Sequence, residues 1–410
     1  MNHLFVTQDY APDLGGMARR HVELCRRFAP DAMAVSTVAA PGAAAFDAGE
    51  GYEIDRQPFP FRTANRLASQ ARWARWLVRR ARRAPGASGG GVDLVHCGNV
   101  RPVGYAVWWA HRRTGVPYVL YVNGGDVLRE QRKVAGSLLK RRTARRIFGD
   151  AAAIVANSAW TADVTAGVMR AAGVRRPPPI VAIDLGTDPA HFHPSRDTGE
   201  LRARLGVAPD APLMLTVARL VPHKGQDVAL RALARLAPDF PALRYLLVGE
   251  GHDGGRLRAL AAELGVADRA IFAGALDDAA VAEAYATATV YVGPSRLDRG
   301  VNVEGFGISY VEAGASGTPS VAGDSGGVRA AVRDGETGLV VPPEDDAAVA
   351  AAIRALLADP ARRAAMGAAA RRAVEDHYNW ARVAEETRAF TRGLVAGAPR
   401  PAPRDAAVHA

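Results

Sequence analysis

Short β-branched or apolar runs alternate with segments of helical period along almost the whole chain. Leu4–Thr7 reads as a strand, followed by a glycine turn and a helix over Met17–Phe28. Met33–Val38, Leu94–His96, Tyr118–Val122 and Ala153–Ala156 read as further strands. Strands that alternate with helices in this way build a parallel sheet covered on both faces. The rhythm breaks at Arg175-Arg176-Pro177-Pro178-Pro179 and again at His193-Pro194-Ser195, then restarts. Strands over Leu213–Val217, Arg244–Val248, Ala270–Phe272 and Thr289–Val292 then alternate with helices over Gln226–Leu236, Gly255–Leu264 and Ala279–Ala286. Two βα arrays divided near residue 195 predict an α/β protein of two Rossmann-like domains, 1–195 and 196–377, facing an interdomain cleft. Ligands of such sheets sit at the carboxyl ends of the strands, so both domains offer loops to the cleft. Helices over Asp346–Ala358 and Pro360–His377 close the second array. Residues 378–396 hold one more helix, free to pack back on the N-terminal domain, and 397–410, with three prolines, read as a disordered tail.

Composition narrows the class. With 49% hydrophobic and 23% charged residues over 410 positions, wholesale disorder is excluded. Cys25 and Cys97 are the only cysteines, which excludes a disulfide scaffold and a Cys-ligated structural metal. No run approaches the roughly 18 apolar residues of a spanning helix. The first residues lack a basic region and a long apolar core, which predicts a cytoplasmic protein, free or peripheral on the inner face of the membrane. The net charge of +10 is concentrated. Arg62–Arg83 holds eight arginines and no acid, with Trp73, Trp76 and Leu77 at amphipathic helix spacing; Arg129–Arg146 holds eight basic residues and one acid. Such segments suit an anionic lipid surface or a lipid-linked acceptor; the alternative is a packed helix whose apolar stripe is core and whose arginines are solvated. No nucleic-acid-binding module accompanies the charge, so nucleic acid is not an expected partner.

Three constellations carry candidate chemistry. In Glu304-Gly305-Phe306-Gly307-Ile308-Ser309-Tyr310-Val311-Glu312 two carboxylates flank a glycine turn that opens a helix, where backbone N–H groups can approach an anion and carboxylates can accept from sugar hydroxyls. An ordinary acidic helix start is the alternative. Arg219 and Lys224 lie five apart on the loop after strand Leu213–Val217 and suit a diphosphate, unless the loop is merely basic and solvated. Asp13-Leu14-Gly15-Gly16 after the first strand is either a phosphate-facing turn or a tight structural one. No dinucleotide-binding glycine fingerprint follows that strand. No His/Asp/Glu cluster has metal-ligand spacing, so neither a metal nor a cofactor is expected. His96 and His111 read as structural.

Together these pieces resemble the retaining nucleotide-sugar glycosyltransferases of the GT-B fold, the large group-1, glycogen-synthase-like family. The resemblance runs through Gly15-Gly16, Ala156-Asn157-Ser158, Leu185-Gly186-Thr187-Asp188, Arg219 with Lys224, Leu247-Val248-Gly249-Glu250-Gly251, Phe272-Ala273-Gly274, Pro294-Ser295-Arg296, the Glu304–Glu312 motif, Gly317-Thr318-Pro319, Gly326-Gly327 and Gly335-Glu336-Thr337-Gly338. Asn302–Tyr310 is also similar to bacterial phosphatidylinositol mannosyltransferases.

The resemblance implies a hexosyltransferase that moves a sugar from an NDP-α-sugar to an acceptor hydroxyl by a metal-independent, front-face route. The acceptor would be lipid-linked or a natural product. Arg219 and Lys224 would neutralise the donor diphosphate, Glu312 would hold the ribose, and Glu304 would contact the transferred sugar. The backbone of Gly305, Phe306, Gly307 and Ile308 would lie near sugar and phosphate. Gly15 and Gly16 would let the N-terminal domain approach, and the Phe272–Leu276 segment around Gly274 would border the base. Asn123 stands where many relatives carry histidine; it can hydrogen-bond a sugar hydroxyl but cannot carry a proton. Asp126 is a candidate to orient or deprotonate the acceptor, or a helix cap. A catalytically silent sugar-nucleotide-binding protein and a GT-B sugar-nucleotide epimerase are the alternatives.

Overall fold

The computed structural model describes residues 1–12, 15–29, 31–58, 66–82 and 91–396. Asp13, Leu14, Arg62, Arg83 and the 397–410 segment lie outside the described residues. The first sheet contains β1 (Asn2–Val6), β2 (Ala32–Val38), β3 (Glu53–Gln57), β4 (Leu94–Cys97), β5 (Tyr118–Val122), β6 (Ala153–Ala156) and β7 (Ile180–Ala182). They are ordered β3-β2-β1-β4-β5-β6-β7 and every pair is parallel. The second sheet contains β8 (Leu213–Val217), β9 (Arg244–Val248), β10 (Ala270–Gly274), β11 (Val290–Gly293), β12 (Ser320–Gly323) and β13 (Gly338–Val341). Its order is β10-β9-β8-β11-β12-β13, again parallel throughout. In both sheets the order reverses beside the first strand, where α/β proteins bind ligands.

Burial on both faces explains why the central strands are continuous apolar runs. In β5, Val119 and Tyr121 face one core while Tyr118, Leu120 and Val122 face the other. In β9, Leu246 and Val248 face one core and Tyr245 and Leu247 the other. The core containing Phe5, Tyr121 and Val155 also contains Phe306, Tyr310 and Val374, so apolar packing is continuous between the domains. Helix Trp380–Ala396 runs back to the first domain, where Arg388 donates to the Ala29 carbonyl and Arg392 Nε to Asp31 at 2.9 Å.

Helices Arg66–Ala81, Val103–Thr114, Gly125–Gly136 and Leu138–Gly149 cover one face of the first sheet. Here the structure corrects the idea that Trp73 and Trp76 anchor to a membrane. Trp73 has no exposed surface, Leu77 is buried, and Trp76 is half-buried against the Trp73 ring edge at 5.3 Å. The stripe is core. Arg80, also buried, pairs with Glu53. Arg72, Arg75, Arg79 and Arg82 remain exposed along the outer side. Two large apolar side chains stand out of the same helical layer, Leu138 (73% exposed) and Leu139 (69%), at the start of helix Leu138–Gly149. Because Trp73 is sealed between helix and sheet, Trp73→Ala is expected to cost about 3–5 kcal/mol of stability, read from urea unfolding; a loss under about 1 kcal/mol would place the side chain at the surface.

Candidate active site

The cleft is closed by backbone meeting backbone. Gly305, from the loop before helix Ile308–Ala315, nests against the end of β5. A Cβ on Gly305 would lie 2.3 Å from the Asn123 carbonyl oxygen, and one on Gly124 would lie 2.8 Å from Gly305 Cα. Across the same gap Ser158 Oγ donates to the Gly305 carbonyl at 2.7 Å. Gly327 lies behind the loop, where an added Cβ would come within 1.9 Å of the Gly305 oxygen, and its N–H donates to the Glu304 carbonyl at 2.9 Å. The residues flanking this loop are glycines because no side chain fits.

Around that contact the charged groups converge. Lys224 ends a short 3-10 turn, Pro222–Lys224, and its Nζ donates to Glu304 Oε2 at 2.5 Å. Gly225, at φ +74°, lets the turn press on the Pro294 carbonyl. Arg219, beyond the end of β8, is exposed, and its side chain makes no ion pair among the described residues. His223 between them is held near pKa 4 by burial and by the Lys224 charge, so it is neutral at pH 7. Glu312 is buried inside helix Ile308–Ala315 and accepts from the Tyr285 hydroxyl at 2.8 Å. Arg19, from helix Gly16–Arg26 of the first domain, reaches it at 3.7 Å and Asp278 at 3.5 Å. Burial holds the Glu312 carboxyl above its ordinary range against the opposing effects of Arg19 and the Tyr285 hydroxyl.

The remaining expected residues are placed as follows. Gly16 opens helix Gly16–Arg26, and a Cβ there would touch Ile308 at 3.8 Å, across the cleft; Gly15 has open space around it. Gly274 ends β10 at φ +69°, with Glu250 nearest to it. The Phe306 side chain is core, against Tyr378, so only its backbone faces the loop. Gly307, at φ +102°, caps helix Ile308–Ala315. Asp126 is used as a cap: its Oδ1 accepts from the Asn123 and Val127 N–H groups, each at 2.9 Å, and its Oδ2 is sealed without a partner among the described residues. Burial raises its pKa. The capping alternative, rather than the acceptor-facing one, matches this geometry. His96 joins a buried chain, bonding His3 at 2.9 Å and Tyr121 at 2.8 Å, and His111 bonds the Val116 carbonyl.

Sequence reasoning gave no role to Arg19, Arg20 and Tyr285, and named Ser158 only within the Ala156-Asn157-Ser158 motif. Their contacts are made across the cleft or between elements, and no local pattern in the sequence signals them.

Two parallel-sheet Rossmann-like domains meeting at such a cleft define the GT-B class of fold. The sucrose-phosphate synthase of Thermosynechococcus elongatus superposes with a TM-score of 0.77 at 24% identity, covering 97% of this chain and 99% of that one. The family described as "Glycosyl transferases group 1" matches residues 197–373, and "Glycosyltransferase Family 4" matches 14–190. A protein of Mycobacterium tuberculosis, named GDP-mannose-dependent alpha-(1-6)-phosphatidylinositol monomannoside mannosyltransferase, is 32% identical over 401 residues, 95% of this chain and 98% of that protein. A protein of the same name from Mycolicibacterium smegmatis is 38% identical over 252 residues, 60% of this chain and 64% of that protein. The chain belongs to the group 1 glycosyltransferases. It is a glycosyltransferase that uses a nucleotide-sugar donor.

A carboxyl whose folded pKa lies above its unfolded value adds stability below the unfolded value, near pH 4, and loses it as the pH climbs through the folded value. Glu312→Gln removes that loss. It is therefore expected to raise the melting temperature by about 1–2 °C at pH 7.5 with no gain at pH 4, by scanning calorimetry at both pH values. An equal gain at both would refute the assignment.

Proposed function

We propose that this chain is a retaining mannosyltransferase that moves mannose from GDP-α-mannose to a hydroxyl of a mannosylated phosphoinositide lipid, without a metal ion. The observation that carries the proposal is the end-to-end similarity to a GDP-mannose-dependent phosphatidylinositol monomannoside mannosyltransferase, with 98% of that protein covered. The Lys224–Glu304 pair at the cleft supports it.

In the proposed reaction the acceptor oxygen forms a bond to the anomeric carbon as the bond from that carbon to the β-phosphate oxygen breaks on the same face. The acceptor proton passes to the departing phosphate oxygen. Charge accumulates on the diphosphate, and the chain's response is two preset cations, Arg219 and Lys224, at the end of β8. Such preorganised charge acts most strongly where water is excluded. Glu304 accepts from Lys224; with donor bound, the ammonium turns to phosphate and the carboxylate to a mannose hydroxyl. Glu312 accepts from the ribose hydroxyls in place of Arg19. This division of labour leaves the Asn123 amide without a proton-transfer role. Neither the silent-binder nor the epimerase alternative is favoured by the relatives.

The lipid part of the proposal draws on the surface. Leu138 and Leu139 are exposed, and so are Arg132, Arg141, Arg142, Arg145 and Arg146, which flank them in the chain. An exposed apolar pair within so basic a stretch suits an anionic membrane, at about 1 kcal/mol per basic residue before screening. We place the membrane contact at this corner, not on Trp73 and Trp76.

Arg219→Ala and Lys224→Ala are each expected to raise the barrier by about 2–4 kcal/mol, measured as transfer of labelled mannose from GDP-mannose to vesicle-borne phosphoinositide mannoside. Turnover near wild type in both variants would remove the diphosphate assignment. Leu138→Ser/Leu139→Ser is expected to shift the protein from pellet to supernatant on sedimentation with anionic vesicles at low salt. Wild-type protein that stays in the supernatant with anionic and neutral vesicles alike would move the acceptor from a lipid to a water-soluble molecule.

A further inference from the structure

Arg20 is a buried cation that the proposed reaction does not use. It lies on helix Gly16–Arg26, is 1% exposed, and sits over the Tyr121 ring with its guanidinium carbon 4.8 Å from the centroid. Its Nη1 donates to Asn123 Oδ1 at 2.8 Å. A guanidinium has five donors and no acceptor. Only the oxygen of the Asn123 amide can face it, so the nitrogen must point the other way. That nitrogen, Nδ2, is sealed from solvent and has no partner among the described residues.

The neighbouring strand supplies its complement. Val122 and Ala156 are paired across β5 and β6, and Asn123 and Asn157 directly follow them at the carboxyl ends of these adjacent strands. Asn157 is 4% exposed, and its Oδ1 is likewise sealed and unpartnered. Both adjoin the Gly305 loop: a Cβ there would lie 2.3 Å from the Asn123 carbonyl and 3.0 Å from Asn157 Nδ2. Native proteins rarely leave a buried donor and a buried acceptor unpaired at one place, because each costs about 1–3 kcal/mol. A sugar hydroxyl, which both accepts and donates, satisfies both.

We infer that Arg20 is a positioning residue: it locks the Asn123 amide with its NH2 toward the cleft, so that Asn123 donates a hydrogen bond to a hydroxyl oxygen of the transferred hexose while Asn157 Oδ1 accepts from that hydroxyl. The inference rests on the nucleotide-sugar reading above, and on GDP-mannose only as the first donor to try. It replaces a titratable recognition group with a fixed one, since neither an amide nor an arginine changes charge near neutral pH.

The test compares each nucleotide-sugar with its own nucleotide. Wild-type protein is titrated calorimetrically with GDP-mannose, UDP-glucose and UDP-N-acetylglucosamine, and with GDP and UDP. Preference for a donor other than GDP-mannose would overturn the proposed donor and leave the amide assignment standing; binding of no nucleotide-sugar would overturn both. Asn123→Asp keeps an oxygen against Arg20 but sets two acceptors on a hydroxyl that has one proton. Its nucleotide affinity is expected to stay within twofold, and its affinity for the preferred nucleotide-sugar to fall at least tenfold, with no drop in melting temperature. Nucleotide-sugar affinity within twofold of wild type overturns the inference. Turnover of the preferred donor, as transfer or as slow hydrolysis, is then measured for Arg20→Met alone and in an Asn123→Ala background. A tenfold loss alone and less than twofold in that background is expected, with Arg20→Lys recovering to within threefold of wild type. Equal losses in both backgrounds would make Arg20 a merely structural residue and overturn its positioning role. If Arg20→Met does not fold, the Arg20→Lys and Asn123→Asp measurements decide.

Discussion

The site depends on one steric constraint: the Glu304–Gly307 loop must lie against the end of β5 with nothing between them. Gly305 and Gly124 touch as bare backbone, and Gly326 and Gly327 permit the same from behind, where a Cβ on Gly326 would come within 2.3 Å of the Glu304 oxygen. Ser158 Oγ then fastens the loop by its carbonyl. From this contact follow the approach of Glu304 to Lys224 and the placement of helix Ile308–Ala315, which carries Glu312 to the Arg19 side of the cleft. The domains are held in register by backbone shape, and the charged side chains are positioned as a consequence.

The charged groups lining the cleft are paired in a common form. Lys224 rests on Glu304 and Arg19 on Glu312, while Arg20 rests on Asn123. Each cation is occupied by a group that the proposed donor would itself engage or release. In the Lys224–Glu304 and Arg19–Glu312 pairs the charge is stored exchangeably, so neither carboxylate is left unpaired, whereas Arg20 keeps its hold on Asn123. The raised pKa of Glu312 shows the residual cost of keeping a carboxyl in that helix. In the proposed role of Glu312, such a cost is the ordinary trade of stability for a binding group.

Much of this was legible in the sequence, and the gaps have physical causes. β1, β5, β8 and β9 are buried on both faces, so their apolar runs announce them. β3, Glu53–Gln57, was missed because it is an edge strand with a single aliphatic residue, Ile54, and β12, Ser320–Gly323, because small residues pack where bulk would not fit. The glycine-flanked loop and the Arg219/Lys224 spacing were visible as local patterns. Contacts made across the cleft, such as Arg19 with Glu312 or Ser158 with Gly305, depend on how two separate sheets face each other, which no local pattern encodes. The Trp73/Trp76/Leu77 stripe shows the reverse failure: its periodicity was read correctly, but periodicity alone does not say whether sheet or lipid covers the apolar side.

The proposed chemistry rests on two cations doing the work of a metal while the new bond forms on the face that the phosphate leaves. The most direct measurement is the proton NMR spectrum of the first product formed from GDP-α-mannose in the presence of a strong chelator. The account predicts an α-linked mannoside, formed at the same rate with and without chelator. A β-linked product, or transfer that begins only when a divalent cation is added, would contradict it.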